Sequence, residues 1–102
     1  MRIISVSTLQ EYLERQKYRP AKAALQAWIS VAKAARWSSH HDMKQVFPSA
    51  DSRPSGRVVF NIMNNNFRLV AYIVYEFETI YIKWFGTHAE YDKIDVDTVG
   101  GI

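Results

Sequence analysis

With 102 residues and no internal boundary, the chain reads as one domain, long enough to bury a modest core without metal or disulfide support. It has no cysteine, which excludes disulfides, thiol nucleophiles and thiolate metal sites; no apolar run approaches the roughly 20 residues of a membrane span, and the start MRIISVSTLQEYLERQ turns polar too soon for a signal peptide. A cytoplasmic protein with no membrane partner is expected, and a formal net charge of +3 permits an RNA partner without demanding one.

Arg2-Ile3-Ile4-Ser5 suits a short strand at a sheet edge. Ser7 with Gln10, or Thr8 with Glu11, has capping-box spacing and opens a first helix with Leu9, Tyr12 and Leu13 on its apolar stripe. That helix must stop before Pro20, since the residue preceding a proline is pushed out of helical geometry, and Pro20 suits the first turn of the next helix. Residues 21–36 form the pattern of a second helix, with Ala24, Trp28, Val31 and Ala35 on one face. Two short-linked helices of this kind make an antiparallel hairpin able to cover a sheet. After the polar break Ser38-Ser39-His40-His41, Asp42 can cap a single turn, Met43–Val46, closed by Phe47-Pro48. Residues 49–56, with Pro54 and Gly56, read as a loop.

The runs Val58–Ile62, Phe67–Tyr75 and Thr79–Phe85 are rich in residues that suit a pleated, packed surface and read as an antiparallel meander. The asparagines of Met63-Asn64-Asn65-Asn66 tolerate the left-handed backbone of a tight connection. If Ile62 pairs with Phe67 and a two-residue turn near Glu76-Phe77 joins the second and third strands, alternation sorts two faces. One collects Phe60, Leu69, Ala71, Ile73, Ile80, Ile82 and Trp84 and can seat the helices. The other collects Arg57, Asn61, Arg68, Tyr72, Tyr81 and Lys83, with Val59 and Val70 among them. Gly86-Thr87 breaks the third strand, and His88, Glu90, Tyr91, Asp92 and Lys93 follow just beyond the sheet. The tail after Ile94 has little periodicity, and Gly100-Gly101 predicts fraying. The predicted architecture is α+β, a helix hairpin on a mainly antiparallel sheet of three to four strands.

The blocks Asp42-Met43-Lys44 and Phe47-Pro48-Ser49-Ala50-Asp51, then Val59-Phe60-Asn61-Ile62 and Phe67-Arg68-Leu69-Val70, and above all Tyr81-Ile82-Lys83-Trp84-Phe85-Gly86-Thr87-His88-Ala89-Glu90-Tyr91-Asp92-Lys93-Ile94, resemble HigB-type toxins of bacterial type II toxin–antitoxin systems, a branch of the RelE-like messenger-RNA interferases. The resemblance implies a compact RelE-like two-layer fold, cleavage of messenger RNA with the ribosome as platform, and neutralisation in a hetero-oligomer with a helix-turn-helix antitoxin.

Metal-free RNA cleavage turns the 2′-hydroxyl onto the adjacent phosphorus. It needs a base, an acid and positive charge on the phosphate. His88 is the natural proton carrier, with Asp92 or Glu90 as its orienting partner or as an alternative base; a satisfied histidine at the end of a sheet is the competing reading. If the segment after Gly86 is helical, His88 shares a side with Tyr91 or Asp92. Arg68 is the candidate clamp for the scissile phosphate, since a guanidinium fork matches phosphate oxygens. Tyr91 can stack on a base or donate a proton, and Lys83 can supply a second positive charge. Asn61, Lys93, Arg57 and Lys44 are candidate RNA contacts. Trp28, Trp37, Trp84 and Phe85 read as packing. His40-His41 and the remaining His, Asp and Glu residues lack metal-site spacing, so no cofactor is expected. The alternative function is a toxin of the same fold that grips RNA, the ribosome or a protein such as a topoisomerase without cutting RNA.

Overall fold

The computed structural model describes residues 1–101, which form β1 (Arg2–Ile4), α1 (Val6–Glu14), α2 (Lys22–Ala34), α3 (His40–Val46), β2 (Asp51–Ser52), β3 (Arg57–Ile62), β4 (Phe67–Val74), β5 (Thr79–Thr87) and α4 (His88–Tyr91). The sheet runs β1-β5-β4-β3-β2, with β2 to β5 antiparallel and β1 added parallel to β5. Helices on one face of this sheet give the α+β arrangement expected, with five strands rather than three to four. The extra strand, β2, lies in the stretch read as a loop. Asp51 and Ser52 pair with Val59 and Val58 through backbone alone and are exposed, so no apolar alternation announces them.

Local capping differs from the sequence reading where tertiary pairing decides the chain's path. Because β1 holds register with β5 as far as Ile4, the chain leaves the sheet at Ser5, whose hydroxyl caps α1 by accepting the Thr8 N–H at 3.1 Å. Ser7 and Thr8 are therefore not the cap. A 3₁₀ segment, Gln16–Ala21, carries Pro20 and leads into α2. The buried face of α2 is Leu25, Trp28, Ile29 and Ala32, and Val31 is 42% exposed. Helical spacing through Trp28 fits either face, and the one carrying Leu25 and Ile29 removes more apolar area from water. Ser39, not Asp42, caps α3; the Asp42 carboxylate instead accepts the Ser38 N–H at 3.0 Å and its hydroxyl at 2.7 Å.

The core joins Leu9, Leu25, Trp28, Met43, Phe60, Leu69, Ile80 and Phe85. Phe60 meets Trp28 edge-on at 5.2 Å, and Phe67 stacks on Phe85 at 5.6 Å. The β3–β4 register has Ile62 opposite Phe67, as the asparagine turn predicts, with Met63 and Asn64 at φ 52° and 59°. The β4–β5 connection is longer than two residues, a 3₁₀ turn Tyr75–Phe77 followed by Glu78 at φ 48°; it still sets Tyr72 opposite Tyr81.

Further along β5 the alternation breaks. Val70 pairs with Trp84 but Ala71 pairs with Ile82, so Lys83 is the extra residue of a β-bulge. Trp84 is thereby moved off the apolar face and onto the polar one, and Phe85 takes its place in the core, fully buried. Gly86 does not break the strand, which continues to Thr87. Its missing side chain leaves room for the Trp84 indole: a Cβ there would lie 2.4 Å from that ring and 2.9 Å from Glu90 Oε1. Gly86→Ala is expected to lower stability by about 1–3 kcal/mol through this overpacking. Urea unfolding would measure it, and an unchanged midpoint would mean that the indole swings aside freely.

Where the glycines suggested fraying, the tail is bonded to the sheet as far as Gly101. The Arg57 guanidinium, buried on β3, donates to the carbonyls of Val96 (3.1 Å), Val99 and Gly101 (2.7 Å). Asp97 accepts from Arg53 at 3.0 Å and from Ser55 at 2.7 Å. Gly100, at φ +76°, lets the tail cross so close to Lys83 that a Cβ would lie 2.2 Å from its carbonyl oxygen.

Candidate active site

α4 begins where β5 ends, and the join is fixed from both sides. Thr87 caps the helix by accepting the Glu90 N–H at 3.1 Å, while the Glu90 carboxylate accepts the Thr87 N–H at 2.9 Å, a reciprocal capping box. Glu90 also receives the Lys17 ammonium at 2.7 Å and the Tyr18 hydroxyl at 2.9 Å. It therefore ties the connection between α1 and α2 to the end of the sheet and does not face His88. Burial alone would push its carboxyl up; the Lys17, Thr87 and Tyr18 contacts outweigh that and hold it at about 2 against the usual 4.5. With the folded value depressed, this stabilisation is complete above about 4.5 and is lost as pH falls towards 2. Glu90→Gln is expected to melt lower than the native chain near neutral pH and to lose less of its melting temperature on acidification. Equal acid sensitivity in both proteins would show that other carboxylates dominate.

His88 is the first residue of α4, and its N–H donates to the Asn66 carbonyl of the β3–β4 turn at 2.9 Å. Its ring is exposed, with Nε2 at 3.6 Å from Asp92 Oδ2, an electrostatic contact too long for a hydrogen bond. Tyr91, one residue short of that pair, turns back over the sheet. Its ring centroid lies 5.8 Å from the Arg68 guanidinium carbon and 6.3 Å from the Trp84 ring. Burial raises the Tyr91 hydroxyl above its ordinary value, with Arg53 pulling in the opposite direction.

Arg68 lies in the rung between Asn61 on β3 and Gly86 on β5. Only 9% of it is exposed. Its Nη1 donates to the carbonyls of Asn65 (3.0 Å) and Phe67 (3.2 Å), and its Nη2 donates to Asn65 Oδ1 at 2.7 Å. The fork read as a clamp for the scissile phosphate is thus held in place by the turn and roofed by Tyr91. Asn65 is the residue that sequence reasoning missed here. The signal was its place three residues before Arg68 in the asparagine turn, which was read only for its backbone preference.

The other candidate RNA contacts separate. Asn61 is exposed beside Arg68, with Nδ2 at 3.5 Å from the Ser49 carbonyl, and Lys93 is exposed after α4. Lys83 stands at the bulge on the polar face and lines a cavity with Ser55, Arg57, Tyr72 and Asp97. Arg57 is committed to the tail. Lys44 belongs to α3 in the helical layer, where its ammonium reaches the Ala50 carbonyl at 2.7 Å. Geometry therefore gathers His88, Asp92, Tyr91, Arg68 and Asn61 around the end of the sheet, sets Lys83 further along it, and leaves Lys44 with the helices. Among the described residues no group of His, Asp and Glu is arranged to hold a metal ion.

A family model described as the HigB toxin, the RelE-like toxic component of a toxin–antitoxin system, matches residues 21–94. The chain belongs to the HigB toxin family. It is 31% identical over 92% of its length to an mRNA interferase HigB of Escherichia coli O6:H1, covering 91% of that protein. It is also 32% identical, over 90% of its length, to the mRNA interferase toxin HigB of Escherichia coli K12 and to an mRNA interferase HigB of Shigella flexneri, covering 88% of each. The HigB match includes α2, every strand from β2 to β5 and all of α4, and so contains His88, Asp92, Tyr91, Arg68 and Asn61. As the toxic component of a toxin–antitoxin system, the chain has an antitoxin as its partner. No helix among the described residues is long and apolar enough to cross a membrane.

Proposed function

We propose that the chain is a messenger-RNA-cleaving toxin whose reaction takes place at the end of the sheet. The observation that carries this reading is the pairing of an exposed imidazole and carboxylate, His88 and Asp92, with an enclosed arginine, Arg68, covered by the Tyr91 ring. His88 moves the protons of 2′-hydroxyl attack and 5′-oxygen departure, and Asp92 orients its ring and stabilises the charge it acquires. Tyr91 leaves the Arg68 guanidinium to stack on an unpaired base, and the uncovered cation meets the phosphate as negative charge builds there. Asn65 keeps the guanidinium aimed throughout. Glu90 plays no chemical part in this scheme, since its oxygens are engaged by Lys17 and Tyr18 of the 3₁₀ segment and by the Thr87 N–H of the helix cap. Its partner would be a helix-turn-helix antitoxin, and the ribosome would present the messenger.

Induced expression, with growth followed and primer extension run on a reporter messenger RNA, tests the reading. Arrest accompanied by discrete new 5′ ends is the expected result. Arrest without new ends would replace it with a toxin that binds without cutting, and unhindered growth would remove the toxic activity altogether. Omitting ribosomes from a purified cleavage reaction tests the platform, with loss of cutting expected.

A further inference from the structure

The polar face of the sheet continues well past Arg68, and its far part has the composition of a binding surface. Tyr72 on β4 and Tyr81 on β5 are directly opposite one another and are 39% and 37% exposed. Tyr72 is steadied by Gly56, whose absent side chain would lie 3.0 Å from its ring. Beside them, Ser55, Arg57, Tyr72, Lys83 and Asp97 line a cavity of about 350 Å³. Its charges are not equally available. Asp97 is taken by Arg53 and Ser55, and Arg57 by the tail carbonyls, whereas Lys83 makes no hydrogen bond or ion pair among the described residues. The spare charge in the cavity is positive, and it stands next to a pair of aromatic rings.

We infer that Tyr72, Tyr81 and Lys83 form a second nucleotide position, which takes the base and phosphate of unpaired RNA flanking the cut. The inference rests on the messenger-RNA-cleaving reading and extends it along the sheet. Unpaired strands are held by aromatic rings that stack on bases and by cations that track the backbone, and both components are present here. The two positions are connected by the Val70–Trp84 rung, where the indole that the bulge turned outward lies 6.3 Å from Tyr91. Four residues of β4 separate Arg68 from Tyr72, a rise of about 13 Å, so one strand a few nucleotides long reaches both. A single spare cation beside paired tyrosines suits a base and its phosphate better than an acidic peptide, which would need several.

The test is binding of oligoadenylates with 2′-O-methyl sugars, which cannot be cut, to the native chain and to Tyr81→Ala, Tyr81→Trp and Lys83→Met. A hexanucleotide is expected to bind the native chain about tenfold tighter than a dinucleotide, from stacking on the added position. Tyr81→Ala should remove that gain, Tyr81→Trp should keep it, and Lys83→Met should reduce the salt slope of hexanucleotide binding by about 0.7. Melting curves confirm folding, and if Tyr81→Ala fails to fold, the tryptophan and Lys83 variants still decide. Equal affinity for both lengths, or a gain that survives both Tyr81→Ala and Lys83→Met, would overturn the second position. Messenger cleavage is read in the same preparation of native protein. Cleavage without a length-dependent gain sinks only the second position, whereas absence of cleavage sinks the activity on which it rests.

Discussion

His88→Ala is expected to abolish growth arrest and to slow RNA cleavage by about 10²- to 10⁴-fold, the range for losing a positioned proton carrier. The variant should fold normally. The side chain is exposed, the bond to Asn66 is made by the backbone N–H, and the capping box of α4 is built from Thr87 and Glu90. Asp92→Asn should be milder, since a 3.6 Å contact, too long for a hydrogen bond, steadies the exposed imidazole only weakly. Single-turnover cleavage of a defined RNA measures both. If His88→Ala cuts at the native rate, the ring is only the first residue of a short helix, and the proton carrier must be sought elsewhere.

Arg68→Lys should be nearly as damaging, although it keeps the charge. An ammonium cannot reproduce a planar fork that donates to Asn65 and Phe67 while facing Tyr91, so the cation would be free to wander from the place where the phosphate's charge develops. Loss of a preorganised donor of this kind is worth about 10²-fold or more in rate. Folding stability should fall by about 1–3 kcal/mol, the value of hydrogen bonds from a charged donor, because water reaches the exposed Asn65 but not the buried bond to Phe67. Asn65→Ala should share part of the rate loss while leaving Arg68 present. Full cleavage by Arg68→Lys would reduce Arg68 to a structural residue of the β3–β4 turn; a full rate in Asn65→Ala would show that Tyr91 and Phe67 suffice to aim it.

The meander was legible in the sequence because its evidence is local. An asparagine-rich turn fixes the register of β3 against β4, and period-two alternation then puts Phe60 and Leu69 on one side and Arg68 and Tyr72 on the other. The β4–β5 connection preserved that sorting despite its different shape. Alternation fails at Lys83, because a bulge inserts one residue and exchanges the faces of Trp84 and Phe85, both of which are large, apolar and compatible with either side. Long-range polar partners were equally invisible. Nothing near Glu90 in sequence announces that Lys17 and Tyr18 will bind it, and nothing near Arg57 announces the carbonyls of Val96 and Val99. The site residues His88, Tyr91 and Asp92 could be named because they are packed into one short segment after a strand. How tightly Arg68 is enclosed depended on a neighbour three residues away and a ring from α4.

The exchange at the bulge also gives the protein a built-in optical reporter. Of its three tryptophans, Trp28 and Trp37 are buried in the core, whereas Trp84 is half-exposed on the outer face beside Tyr91. Indole emission responds to contact with solvent and to a stacked base, so a chain carrying Trp28→Phe and Trp37→Phe would fluoresce from a single position midway along the surface where RNA is proposed to lie. Quenching on mixing would then time the arrival of a strand before any bond is cut, and the same signal would reveal whether an antitoxin shields that surface or leaves it open to solvent.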